Sequence, residues 1–290
     1  MTSDTSQSLS KTTKNILNQY GIKLNKNLGQ NYLIDENKRN QIIDFGNICK
    51  NDVILEIGTG IGTLTIELAK RAKKVIAIEQ DPNISKILGN RLEKEKIDNV
   101  ELINDDALNV DFPEFNKIIS NLPYQISSPI TFKFLDYDFD LAVLMYQKEF
   151  ANRMNGEVGT KNYSRLSAML YFKCNVETLT DVSAESFIPK PKVDSTVIKL
   201  TPKDVEISDY DFKVYSKFTK ALFQHRNKKI RNALIDSRHI ISNIDKKELK
   251  KRLNSIESEK LEDYLSKRVV SLTPEEILEL SKELYPIFKE

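Results

Sequence analysis

The segment Glu56-Ile57-Gly58-Thr59-Gly60-Ile61-Gly62-Thr63 joins an apolar, β-branched run, Val53 to Ile57, to a helical pattern, Leu64 to Arg71. Glycines at such a strand-to-helix turn let the backbone approach a ligand closely and aim the N–H groups of the helix start at it. The alternation continues downstream. Lys74 to Glu79 reads as a second strand, Pro82 to Glu95 as a helix, and Asn99 to Asn104, Lys117 to Ser120 and Phe139 to Tyr146 as three more strands. Short β-branched runs separated by helical patterns predict a doubly wound parallel sheet covered by helices, an α/β fold.

Tyr163 to Phe172 is apolar on one helical face, and Val176 to Thr180 and Ser195 to Leu200 read as a late strand pair around the Pro-containing loop Phe187 to Val193. Strand-like runs stop near Thr201-Pro202-Lys203, and amphipathic Lys/Glu-rich helices follow to Glu290. The expected organisation is therefore a basic N-terminal arm over 1–33, a ligand-binding sheet domain over 34–202 and a smaller all-helical domain over 203–290. No apolar stretch approaches the ~20 residues of a membrane span. Cys49 and Cys174 make neither a metal spacing nor a disulfide framework, and His225 and His239 show no ligand spacing. A cytoplasmic protein with no metal is the expectation. Nothing in the sequence suggests an obligate interface, so a monomer is expected.

Carboxylates fall at three successive predicted strand ends: Glu56 before the glycines, Glu79 after the second strand, and Asp105-Asp106 before Ala107 after the third. In an open α/β sheet, ligands bind at the carboxyl ends of the strands. Glu79 is placed to accept from ribose hydroxyls, and an Asp after the third strand can accept from the amino group of an adenine. Either acid can also simply cap the next helix. The glycine spacing is G-x-G-x-G, unlike the dinucleotide fingerprint G-x-G-x-x-G. With Glu56 in front, it resembles the first motif of the class I methyltransferases, which bind S-adenosylmethionine.

The fourth strand is followed by Asn121-Leu122-Pro123-Tyr124. An adenine amino nitrogen is a poor nucleophile because its lone pair is delocalised into the ring. An amide oxygen from Asn121 and the backbone carbonyl of Leu122 can accept its two N–H bonds and favour a pyramidal geometry. Pro123 stiffens the turn, and Tyr124 offers an aromatic face to an extruded base. Such a site needs orientation and in-line approach more than a strong base. An Asn-initiated turn with a packed Tyr is the alternative structural reading of the same four residues.

Taken together, Lys26 to Leu33, Glu56 to Gly62, Glu79, Asp106-Ala107, Asn121 to Tyr124, Phe187-Ile188-Pro189-Lys190-Pro191-Lys192-Val193-Asp194-Ser195 and Gln224 to Leu234 resemble the KsgA-type ribosomal RNA adenine N6-dimethyltransferases. The resemblance implies a class I methyltransferase fold with a Rossmann-like sheet. It also implies transfer of methyl groups from S-adenosylmethionine, leaving S-adenosylhomocysteine, to two adjacent adenosines near the 3′ end of small-subunit rRNA. Carried over by position, it has Gln30, Asn31 and Leu33 border the cofactor, Gly58 and Gly60 approach it, Glu79 hold its ribose, and Asp106 with Ala107 its adenine. Asn121 and Leu122 hold the target amino group, and Tyr124 and Phe187 sandwich the target base. Tyr32 stands where the family commonly has Phe, and His225 interrupts its usual Gln-Arg-Arg.

The balance of 44 Lys plus Arg against 42 Asp plus Glu, net +2, argues at first against a nucleic-acid partner. The total hides segregation. No acid lies between Asp4 and Asp35, and none between Phe212 and Ile235, where seven bases stand. Given the resemblance, Arg226, Lys228, Lys229 and Arg231 are expected to contact RNA phosphates, and the small ribosomal subunit or its precursor is the expected partner. Two other functions share this sequence pattern: an Erm-type large-subunit rRNA methyltransferase and a non-catalytic RNA-binding assembly factor. Intact Asn121, Glu79 and glycines weigh against the second, and the Gln224 to Leu234 run against the first.

Overall fold

A computed structural model describes residues 8–22, 31–205 and 207–289. In chain order the elements are α1 (Leu9–Gln19), β1 (Tyr32–Leu33), α2 (Glu36–Phe45), β2 (Val53–Ile57), α3 (Thr65–Arg71), β3 (Lys74–Ile78), α4 (Pro82–Lys94), β4 (Val100–Ile103), β5 (Lys117–Asn121), α5 (Ser127–Phe134), β6 (Leu141–Gln147) and α6 (Lys148–Met154). There follow α7 (Arg165–Lys173), β7 (Cys174–Val182), β8 (Phe187–Ile188), β9 (Ser195–Pro202), α8 (Asp209–Phe223), α9 (Ile230–Asp236), α10 (Lys246–Asn254), α11 (Glu259–Ser266) and α12 (Pro274–Phe288). The five strands expected from the β-branched runs lie within two residues of their predicted bounds.

The main sheet runs in the order β4-β3-β2-β5-β6-β9-β7. Strands β2 to β6 are parallel, and β9 returns antiparallel to β6. The chain winds outward from β2 to β4, then resumes on the other side of β2 with β5. That reversal creates a crevice at the carboxyl ends of β2 and β5, where a doubly wound sheet binds ligands. Burial on both faces explains the near-continuous apolar sequences: Ile54, Leu55, Val75, Ile76, Ala77, Ile118 and Ile119 are all fully buried.

The chain divides into two compact units, 1–151 with 176–202, and 152–175 with 203–290. Residues 152–175, expected in the sheet domain, group with 203–290, and the start of β7 at Cys174 and Asn175 goes with them. The reason is packing. The ring of Phe172 on α7 meets Tyr215 of α8 edge-on at 5.2 Å, the Tyr215 hydroxyl donates to the Ala168 carbonyl at 2.8 Å, and the Tyr163 hydroxyl donates to the Leu272 carbonyl at 2.8 Å. The helical unit is thus built from two segments, and α8 packs against α7, α9 and α12.

Of the expected N-terminal arm, the described part is largely helical. Ser8 caps α1, whose Leu17 and Ile16 pack on Ile61, Ile84 and Ile87 of the first unit, while Lys11 and Lys14 stay exposed. Lys23, Lys26 and Gln30 lie outside the described residues. Beyond them, Tyr32 and Leu33 pair antiparallel with Ile188 and Phe187. This two-residue ladder joins the start of the sheet unit to the Pro-containing loop.

Candidate active site

Four strand ends converge on one cavity. Its lining includes Asn31, Leu33, Glu56, Gly58, Gly60, Glu79, Asp106, Ala107, Asn121, Leu122, Pro123 and Tyr124, all expected from the sequence. Gly58 and Gly60 hold positive φ, 71° and 55°. A Cβ on Gly58 would stand 2.7 Å from Cγ and Cδ of Pro123, so the glycine turn after β2 and the turn after β5 are in contact only because that atom is missing. The Gly60 N–H donates to Glu79 Oε2 at 2.9 Å, and the Asp81 N–H to Glu79 Oε1 at 3.0 Å. Burial raises the Glu79 carboxyl above the usual carboxylate range, and these backbone bonds oppose the rise.

Glu56 is 2% exposed, and burial, reinforced by the charge of Glu79, pushes its carboxyl up to about 8. Its Oε2 has no hydrogen-bond partner, nor do the buried hydroxyls of Thr59 and Thr63, which line the same cavity. Buried polar atoms are normally paired. With the Tyr32 hydroxyl, four unpartnered buried atoms belong to residues that line this one cavity, and together with the carboxyls at the ends of β2 and β3 they suit a ligand that brings hydroxyl donors.

Asp106 keeps both of its expected roles in view. Its Oδ1 accepts from the Leu108 N–H at 2.9 Å, as a turn cap, yet the residue also lines the cavity. Lys133 on α5 bonds the carbonyls of Ala107 and Val110 and lies 4.3 Å over the Phe112 ring, pinning that turn in place. The sequence offered no signal for Lys133, because its partners lie on a turn more than twenty residues away.

Asn121 closes β5, and its Nδ2 donates to the Asn31 carbonyl at 3.3 Å. That bond turns the amide so that Oδ1 is the end left for an incoming donor. Tyr124 is half-buried, with its hydroxyl 2.7 Å from Ser195 Oγ, and burial raises its phenol above the ordinary value. Ser195, the last residue of the F-x-P-x-P-x-V-x-S segment, therefore fixes the ring that lines the cavity.

Phe187 departs from expectation. Its side chain is 2% exposed and packs with Leu33, Val182 and Val197 in the core, and it does not line the cavity. Strand alternation is the cause: in β8, successive side chains point to opposite faces, so Phe187 turns into the core and Ile188 packs beside Tyr32. The expected aromatic sandwich has one ring in place, that of Tyr124.

The basic run of the helical unit also differs from expectation. Arg226 donates to the carbonyls of Lys161 and Thr160 at 2.8 and 3.0 Å. Lys228 pairs with Asp236 at 2.8 Å, and Arg231 makes two 2.6 Å bonds to Glu262 and further bonds to the Leu253 carbonyl and Asn254. Lys229 alone of the four is exposed without a charged partner among the described residues. No group of three or more His, Cys, Asp or Glu among the described residues is placed to hold a metal ion. No described helix is long and apolar enough to cross a membrane.

The model of the ribosomal RNA adenine dimethylase family matches residues 21–274. A probable ribosomal RNA small subunit methyltransferase A of Methanosphaera stadtmanae is 52% identical over 269 residues, covering 93% of this chain and 96% of that protein. The protein of the same description from Methanothermobacter thermautotrophicus is 48% identical over 273 residues, covering 94% of this chain and 95% of its own. Among solved structures, a dimethyladenosine transferase from Plasmodium falciparum is similar with TM-score 0.73 at 32% identity, over 88% of this chain and 98% of that one. The 23S rRNA methyltransferase ErmE is similar with TM-score 0.61 at 25% identity, over 87% of this chain and 99% of its own.

Proposed function

The chain belongs to the ribosomal RNA adenine dimethylase family, and from that premise we propose how its own residues divide the work. It is an S-adenosylmethionine-dependent rRNA adenine N6,N6-dimethyltransferase acting on small-subunit RNA. When bound, S-adenosylmethionine supplies an electrophilic methyl group on a sulfonium and leaves as S-adenosylhomocysteine. Glu79 holds the ribose hydroxyls of that cofactor, Asp106 and the backbone at Ala107 its adenine, and Gly58 and Gly60 admit its methionine part. Tyr32, Glu56, Thr59 and Thr63 supply the unpartnered polar atoms of the lining. Asn31 and Leu33 close the side of the cavity, where Gln30, outside the described residues, is expected to join them.

Asn121 Oδ1 and the Leu122 carbonyl accept the two N–H bonds of the target amino group. The nitrogen lone pair is thereby freed from the ring and aimed at the methyl group, and the proton it sheds on forming the N–C bond passes to solvent. Tyr124, tethered by Ser195, stacks on the extruded base. The substrate is two adjacent adenosines near the 3′ end, taken on the small ribosomal subunit or its precursor by a monomeric enzyme.

One observation carries this reading: the Asn121-to-Tyr124 turn abuts the glycine turn across Gly58 and Pro123. The group that holds a base amine and the group that holds the methyl donor are thus in contact. The test is methyl transfer from labelled donor onto unmethylated small and large ribosomal subunits. Label on small-subunit adenosines is expected; label confined to the large subunit would make it an Erm-type enzyme, and no label on either would leave an assembly factor.

A further inference from the structure

Helix α8 carries Lys213, Lys217 and Lys220 at spacings of four and three residues, which places them on one helical face. All three are exposed, and none is paired with a carboxylate among the described residues. Two acids of the same unit are engaged elsewhere, Asp211 with Lys282 at 3.1 Å and Asp236 with Lys228 at 2.8 Å and Lys246 at 3.4 Å, while Asp209, in the first turn of α8, stands four positions before Lys213. The face continues to Gln224 and ends at a cleft lined by Lys220, Gln224, His225, Asp236, Ser237 and His239.

His225 and His239 are the two histidines of the chain, fourteen positions apart, and this cleft brings them together because the short helical turn Arg238–Ile240 packs on α8. Charged groups stand on the same elements. Lys220 comes from α8; Asp236 ends α9 and is matched by Lys228 and Lys246; Arg238 spends its guanidinium on the carbonyls of Ile244 and Ile235.

We infer that the phosphodiester backbone of the substrate RNA lies along the Lys213, Lys217, Lys220 face of α8 and ends in the cleft, where His225 and His239 hold a phosphate. From Lys213 to Gln224 this track is about 16 Å long at the rise of an α-helix, enough for several phosphates. The contiguous run Arg226 to Arg231, mostly turned onto internal partners, is a scaffold behind it. This inference rests on the rRNA methyltransferase reading and locates the RNA within it.

The test measures binding of the full chain to unmethylated small ribosomal subunits as a function of salt, with methyl transfer recorded on the same samples and thermal melting to verify the fold. The triple variant Lys213→Gln/Lys217→Gln/Lys220→Gln is expected to reduce the slope of log K against log salt by about 2 and to weaken binding at least tenfold near 0.15 M salt. His225→Ala/His239→Ala is expected to weaken binding to the particles at least threefold at the same salt. A triple variant with wild-type slope, or a loss that follows Lys229→Gln instead, overturns the track; wild-type affinity in the double variant overturns the cleft. In those cases a wild type that still methylates the particles leaves the enzymatic reading standing. A wild type that neither binds nor methylates small subunits removes both.

Discussion

The cavity at the strand ends and the basic run of the helical unit look alike in sequence, each a set of polar residues too dense for chance, and they fold in opposite ways. In the first, residues from Asn31 to Tyr124 line one cavity, and four buried polar atoms of its lining, on Tyr32, Glu56, Thr59 and Thr63, are left without partners. In the second, three of four consecutive bases turn onto carbonyls and carboxylates of their own unit. A binding site is recognised by polar groups the protein leaves unsatisfied. Density of charge along the chain does not measure that.

The sharpest way to break this contrast is at Asn121. If its amide oxygen is held ready for the target amine, Asn121→Ala should lower methyl transfer by roughly 10²–10³-fold, the range for loss of one preorganised hydrogen-bonding group in a transition state. Cofactor affinity, read by calorimetry, should stay near that of the wild type. Equal activity in variant and wild type would return Asn121-Leu122-Pro123-Tyr124 to an ordinary turn.

Next in size is Gly58→Ala. The residue has φ 71°, and its new methyl would stand 2.7 Å from the Pro123 ring. Strained backbone and overlap together should cost about 2 kcal/mol of stability, and cofactor affinity should fall with it because the two turns are pushed apart. Unchanged melting and unchanged cofactor affinity would show that the two turns are not mechanically coupled.

These two sites were legible from sequence for a topological reason. In a parallel sheet every strand delivers its C-terminal residue to the same edge, so Glu56, Glu79, Asp106 and Asn121 meet although dozens of residues separate them. Strand periodicity is enough to find them. What escaped depends on pairings that no period encodes. A ladder of two residues, Tyr32-Leu33 on Ile188-Phe187, is too short to show alternation, and it decides which way Phe187 faces. Lys133 and Ser195 act through partners 26 and 71 positions away, and Arg231 through Glu262, 31 positions away. The assignment of 152–175 to the helical unit escaped likewise, because an apolar helix face does not name the surface that covers it.

Glu56 allows the contrast to be sharpened by pH. Its carboxyl is raised from the usual carboxylate range to about 8, chiefly by burial. Folding therefore takes up a proton between about 4.5 and 8: the full contribution to stability is present below that window and is lost as pH rises through it. Ligand-free stability should fall with pH there by at most about 1.4 kcal/mol per unit from this group. Glu56→Gln should flatten the fall in melting temperature measured from pH 5.5 to pH 7.5. A variant that melts with the same pH dependence as wild type would assign the dependence to other groups.

The smallest effect is expected at Arg231, and it bears on the other half of the contrast. Its guanidinium bonds both oxygens of Glu262 and the Leu253 carbonyl, tying α9 to α10 and α11. The Glu262 side chain is 45% exposed, so solvent screening keeps the ion pair itself below ~1 kcal/mol. Including the carbonyl bond, Arg231→Gln should cost about 1 kcal/mol and a few degrees of melting temperature. Lys229→Gln, on an exposed side chain with no charged partner among the described residues, should leave melting unchanged. The discriminating measurement is the salt slope of RNA binding. A base that serves the fold lowers stability and leaves the slope alone, whereas a base on phosphate lowers the slope by nearly 1 and leaves stability alone. Arg231→Gln falling in the second class would mean that its Glu262 bonds open when RNA arrives, and the division between the two regions would then hold only for the free protein.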